Sequence, residues 1–252
     1  MTGKKFNLKI EMQSLLRNGK YFAKYNRNIK KSKFDETYHN STVDPDGKKR
    51  KLIFEREYKL KQLKHVTRYL NKNKPGKILD VGCGHGWLLS NLNFKWNKFG
   101  LDISSFALKS ASKYSKTFLG DINDIKEKNF DYITALHVIE HVFEPMKFIR
   151  KIHKILKKGG TLVIETPNFD SAAARRYGNN FRLLKDKTHV SLFSEDSLIR
   201  FLRDNKFKIF KVEYPFFETP FFNKKNLLKI LTKKQVSPPF YGSVITLFCK
   251  KC

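Results

Sequence analysis

Residues Lys77-Ile78-Leu79-Asp80-Val81-Gly82-Cys83-Gly84-His85-Gly86 end an apolar run on an acid and then place three glycines at alternate positions. Glycine lets the backbone turn sharply from a strand into a helix and lets a ligand come close, so the pattern predicts a strand, a tight loop and a helix from Trp87 to Leu92. A dinucleotide turn spaces its glycines G-x-G-x-x-G and keeps negative charge away from the pyrophosphate. Here the order is Asp-x-Gly-x-Gly-x-Gly. Asp80 repels a phosphate but suits a ligand that carries an ammonium and a sulfonium.

Four more apolar runs follow, and three of them also lead into acids. Lys98 to Leu101 ends on Asp102, placed to take both hydroxyls of a ribose; no Arg cluster follows that would receive a 2′-phosphate. Thr117 to Gly120 ends on Asp121, whose carboxylate can accept from an adenine amino group while Ile122 lies against the ring. Phe130 to Ala135 leads into Leu136-His137-Val138-Ile139-Glu140-His141, and Thr161 to Glu165 follows a helix expected from Pro145 to the Gly159-Gly160 pair. Short apolar runs alternating with helical stretches predict an α/β, doubly wound sheet that binds its ligand at the strand C-terminal ends.

In this ordered set the chain resembles the class I S-adenosylmethionine (SAM)-dependent methyltransferases, from Pro75 to about Val212 and again in the last strand, and Asp186-Lys187-Thr188-His189 before Ser191-Leu192-Phe193-Ser194 is similar to a pattern of the ubiquinone-type and glycan-modifying small-molecule O-methyltransferases among them. The resemblance implies a Rossmann-like seven-stranded sheet with the last strand antiparallel. It implies the methionine moiety on Asp80, Gly82, Gly84 and Gly86, the ribose on Asp102 and the adenine on Asp121, with Cys83, Ile103, Ile122 and His137 beside them. The cofactor implied is SAM, leaving as S-adenosylhomocysteine. No metal ligand is assigned, although some related O-methyltransferases use a divalent ion near Glu140 or His141.

The 252 residues suffice for one such domain with additions. Residues 1–74 read as an N-terminal helical lid, with one helix from about Leu52 to Leu70 and Tyr38 as a substrate contact; residues 75–252 read as the catalytic domain, interrupted by insertions at about 167–190 and 214–241. No apolar stretch reaches membrane-spanning length, and three sparse cysteines fit a reduced cytoplasmic setting. The net charge of +29 raises nucleic acid as a partner, but 41 of the 52 basic residues are dispersed Lys, and Arg is the better phosphate reader. Nucleic acid is therefore not the expected partner. Arg175, Arg176 and Arg182, near the predicted site, are expected to capture an anion. A homodimer stays open.

Methyl transfer from a sulfonium is an in-line displacement, and a hydroxyl acceptor needs a base. His141, with Glu140 beside it, and His189 are the candidates. His137-Val138-Ile139-Glu140-His141 also matches a zinc-peptidase pattern, but that reading needs the five residues on a helix rather than at a strand end. The leading expectation is a small-molecule O-methyltransferase acting on an anionic sugar, nucleotide-sugar or phosphoramidate precursor of a bacterial capsule or surface glycan. An RNA methyltransferase and a non-enzymatic SAM-binding protein are the alternatives.

Overall fold

The computed structural model describes residues 21–24, 42–43, 49–51, 55–186, 188–231 and 236–252. Seven strands form one sheet: β1 Lys77–Val81, β2 Asn97–Asp102, β3 Lys116–Leu119, β4 Phe130–Leu136, β5 Leu156–Pro167, β6 Phe207–Glu213 and β7 Val244–Lys251, in the order β3-β2-β1-β4-β5-β7-β6. The β1–β2, β2–β3, β1–β4 and β4–β5 pairs are parallel, and β7 runs antiparallel to both β5 and β6. The expected doubly wound sheet with a reversed last strand is thus observed.

The helices are α1 Arg56–Gln62, α2 Lys64–Lys72, α3 Trp87–Ser90, α4 Ser105–Ala111, α5 Pro145–Ile155, α6 Ala172–Tyr177, α7 Arg182–Lys185, α8 Glu195–Asp204 and α9 Lys224–Lys229. Alternate side chains of a strand face opposite sides, and the two sides of this sheet carry separate cores. Leu79, Val81, Leu162 and Ile164 meet Phe148, Ile149 and Ile152 of α5 and Leu198, Phe201 and Leu202 of α8. Ile78, Val163 and Phe248 meet Val66 and Leu70 of α2, Leu88 and Leu89 of α3 and Leu108 of α4. Asp80 and Glu165, two residues on from Ile78 and Val163, therefore belong to the α2 side.

Three boundaries differ from the sequence expectation. The single helix expected from about Leu52 to Leu70 is two helices within the described residues, broken at Leu63, and α2 packs into the main core through Val66 and Leu70. α3 is shorter than Trp87 to Leu92. The helix expected to run to Gly159-Gly160 stops at Ile155, because Leu156 already pairs with Phe130; residues between Leu156 and Thr161 bulge out, with Gly159 at φ +70°.

The first insertion folds α6, a 3₁₀ turn and α7 around Phe169, Ala174, Tyr177 and Phe181. Ser194 caps α8 and accepts from the Ser197 N–H, as the Ser-Glu-Asp pattern indicates.

Candidate functional site

A cavity of about 1340 Å³ opens where the strands end, and its wall carries every cofactor position expected from sequence except Gly86. Gly86, at φ +76°, sits behind the loop, where an added Cβ would stand 2.8 Å from the Ala111 backbone; its role is to let the loop pack on α4. Gly84, at φ +51°, has nothing within 4 Å of where a Cβ would be, so the loop presents bare backbone to the cavity.

Asp102 holds this loop. Its Oδ2 accepts the Gly84 N–H at 2.8 Å and its Oδ1 accepts the Ser104 N–H at 2.8 Å, which leaves lone pairs on both oxygens for a diol. Asp80 is buried and accepts from the Thr134 hydroxyl at 2.6 Å. Burial outweighs that hydrogen bond and, helped by the Asp102 charge, pushes the Asp80 carboxyl up to about 7. Burial likewise pushes the Cys83 thiol up, so it faces the cavity as an uncharged group. Asp121 caps a 3₁₀ turn at Ile122–Asp124, accepting the Asn123 N–H at 2.6 Å, with Ile122 buried and Ile103 exposed on the opposite lip. Bare backbone, a diol acceptor and a buried carboxylate on one cavity fit the nucleoside and amino-acid ends of SAM.

Beyond β4 the chain turns at His137, a non-glycine residue at φ +55°, and enters a 3₁₀ turn over Ile139–His141. This is a strand end, not the helix that a zinc-peptidase motif requires. The His137 ring is clamped on both sides: Nδ1 lies 3.2 Å from Glu140 Oε1 and Nε2 lies 3.1 Å from Glu165 Oε1. Burial disfavours the charged ring, but the hydrogen bonds to Glu140 and Glu165 outweigh it and raise His137 to about 9. Glu165 continues to His65 Nε2 at 2.8 Å and accepts from the Thr246 hydroxyl at 2.5 Å. His65 is raised: burial opposes its charge, and Glu165 favours it. A chain of alternating imidazole and carboxylate thus links α2, β5, the end of β4 and the 3₁₀ turn. The glutamates are buried, and such groups persist only when paired.

Sequence reasoning missed this chain because His65 and Glu165 are far apart in sequence. Their only signal was strand alternation, which puts Glu165 on the face that α2 covers. Glu140 was expected to orient His141. Instead its Oε1 lies against His137 and its Oε2 accepts from the Thr166 hydroxyl at 2.9 Å.

His141 and His189 do come together, their rings 4.9 Å apart on the cavity wall. His141 Nδ1 donates to the Thr188 carbonyl at 3.1 Å, and His189 Nδ1 donates to the Leu183 carbonyl at 2.7 Å, so both rings are held in the tautomer whose Nε2 carries the lone pair. His189 is buried, and desolvation lowers it against the pull of Asp186. One ligand atom each of Glu140, His141 and His189 lies within 4.8 Å of the other two, a donor set that a divalent ion can also take.

Of the three expected anion-binding arginines, only Arg182 lines the cavity. Arg175 is paired with Asp170 at 2.6 Å within the first insertion, and Arg176 donates to the Ile230 carbonyl of the second insertion at 2.8 Å. Tyr38 lies outside the described residues. His85 is buried in the wall against Trp87, with ring centroids 5.1 Å apart. Lys59, Gln62 and Leu63 of the α1–α2 region close one side.

A doubly wound sheet with reversed β7 and this cavity at its strand ends defines a SAM-dependent methyltransferase. Residues 54–212 match the methyltransferase domain family, and the chain belongs to it. An uncharacterized protein of Methanocaldococcus jannaschii is 26% identical over 160 residues, covering 62% of this chain and 75% of that one. A ubiquinone biosynthesis O-methyltransferase of Alkalilimnicola ehrlichii is 29% identical over 118 residues, covering 42% of this chain and 48% of its own, so the match spans about half of that relative. Among solved structures, a SAM-dependent methyltransferase of Thermotoga maritima superposes with a TM-score of 0.59 at 21% identity, covering 78% of this chain and 91% of that one. That likeness concerns the fold.

Two pH limits follow from the wall chemistry. Asp80 rises to about 7 in the free protein, so it must lose a proton to receive an ammonium. Affinity for S-adenosylhomocysteine is expected to weaken, approaching tenfold per unit, as pH falls below about 7. His189, lowered from 6.5, is already unprotonated there. With His189 as the base proposed below, the acid limb of kcat is expected below about 6.5, while cofactor affinity still improves through about 7. Calorimetry and initial rates across that range test the split; coincident limbs for the two quantities contradict it.

Proposed function

We propose that the chain transfers the methyl group of SAM to a hydroxyl oxygen of a small anionic metabolite, of the sugar, nucleotide-sugar or phosphoramidate type used in capsules and surface glycans, in a cytoplasmic setting. The observation that carries the reading is His189: buried, pinned through Nδ1 by the Leu183 carbonyl and kept neutral, on the cavity that also holds the glycine loop.

In this mechanism Asp80, Asp102 and Asp121 hold the donor by its ammonium, ribose and adenine. SAM supplies an electrophilic methyl. The acceptor hydroxyl gives its proton to His189 Nε2 as its oxygen bonds the methyl carbon in line with the departing sulfur. His141 stands beside the base, and Arg182 offers a cation to the acceptor's anionic group. Positioning supplies roughly 7–11 kcal/mol of such a reaction, and a base adds about 10²–10⁴ in rate.

The test is transfer of labelled methyl from SAM to a panel of nucleotide sugars, sugar phosphates and RNA. Label in a sugar oxygen supports the reading. Label in RNA, or binding without transfer to any acceptor, replaces it with one of the two alternatives named from sequence.

The Glu140, His141 and His189 cluster favours a second reading, in which a divalent ion holds the acceptor oxygen and these residues hold the ion. Chelation separates the two: a base mechanism keeps its rate in EDTA, whereas a metal mechanism loses it and regains it with added magnesium, manganese or zinc.

A further inference from the structure

The second insertion carries a surface that the methyl-transfer chemistry does not use. Six of the twelve exposed large apolar side chains among the described residues fall within residues 217–241: Phe217, Phe222, Leu227, Leu228, Leu231 and Tyr241. The aromatic members form a continuous plate, with Phe217 5.3 Å from Phe222 and 5.4 Å from Tyr241, and with Phe216 beneath. Leu227, Leu228 and Leu231 fall on one side of α9 and its C-terminal turn by helical spacing. The platform is fixed from below: Arg176 donates to the Ile230 carbonyl and the Tyr177 hydroxyl to the Lys229 carbonyl. Exposure here is therefore built in, and apolar patches of this kind mark interaction surfaces.

Charge selects the partner. Residues 216–231 carry three Lys, Lys224, Lys225 and Lys229, all on α9, and one acid, Glu218, which is paired with Lys64 and Arg68. A face of Phe, Leu and Tyr interleaved with Lys is the composition of a segment that lies in a membrane interface, with rings in the acyl boundary and ammonium groups among anionic headgroups. A second copy of the chain fits worse, because a two-fold contact would press lysines on lysines. We propose that the face formed by residues 216–231 and Tyr241 docks the protein on an anionic phospholipid surface. The reverse side of the plate, through Phe216, Phe221 and Phe240, lines the catalytic cavity, so docking turns the cavity roof toward the bilayer. No helix among the described residues is long and apolar enough to cross a membrane, so the attachment is peripheral.

The experiment is flotation of the full chain with vesicles of equal parts phosphatidylglycerol and phosphatidylcholine, against vesicles of phosphatidylcholine alone. Binding to the anionic vesicles is expected. Lys224→Glu with Lys225→Glu should weaken it on the order of thirtyfold or more. Phe217→Ser with Phe222→Ser and Leu228→Ser should abolish it. A control pair of the same charge change far from the patch, Lys126→Glu with Lys154→Glu, should leave it near the parent value. Phe217→Trp adds a local reporter to the native Trp87 and Trp96, and its emission after subtraction of the parent spectrum should shift to the blue on the anionic vesicles alone. The proposal is overturned if the vesicles do not bind, if the control pair weakens binding as much as the α9 pair, if the tryptophan emission stays unchanged, or if the apolar substitutions instead dissolve a dimer in solution.

Discussion

His189→Asn is expected to lower kcat by about 10²–10⁴ while cofactor affinity stays within about twofold of the parent. Asparagine is chosen because its amide N–H₂ can replace the Nδ1 donor to the Leu183 carbonyl, leaving the loop between α7 and Val190 supported but without a basic nitrogen. The ring also packs edge-on against Phe169, with centroids 6.1 Å apart, so alanine would add a packing defect to the chemical one. A fall in kcat with unaltered thermal stability, in a parent whose rate survives EDTA, identifies the base. An unaltered rate removes His189 from the mechanism and passes the role to His141, whose ring lies 4.9 Å away on the same cavity wall.

The second large effect concerns the donor. Asp102→Ala removes the carboxylate proposed to make two charge-assisted hydrogen bonds to the ribose, each worth roughly 1.5–3 kcal/mol, so affinity for S-adenosylhomocysteine should fall by about 10² or more. The same change strips the Gly84 and Ser104 N–H groups of their acceptor, which loosens the loop that frames the methionine end. Asp102→Asn separates the two contributions: its single amide oxygen can retain one loop contact but carries no charge, and it should fall between the parent and alanine. Equal affinity of parent and Asp102→Ala, measured by calorimetry, would place the ribose elsewhere.

The parts of the fold that follow from local pattern were readable in the sequence. Acids at the ends of β1, β2 and β3 predicted the positions that now line one cavity, and the Ser194 cap and the reversed β7 stand as expected. What sequence could not show depends on distant pairing. Leu156 ended α5 early because Phe130 was there to pair with it. Arg175 and Arg176 looked like anion ligands until Asp170 and the Ile230 carbonyl were seen beside them. The His65–Glu165–His137–Glu140 chain joins three separated segments, and two of its members, His65 and Glu165, carry no motif of their own. Even the strained φ of His137 is invisible locally, because half of the clamp that holds it comes from Glu165 on another strand.

Titration of the full chain with S-adenosylhomocysteine tests the account most directly. One saturable site per chain, weakening as pH falls below about 7 and lost in Asp102→Ala, is the expected result. No heat at millimolar ligand would contradict the assignment of Asp80, Asp102 and Asp121, and with it every role given to the residues across the cavity.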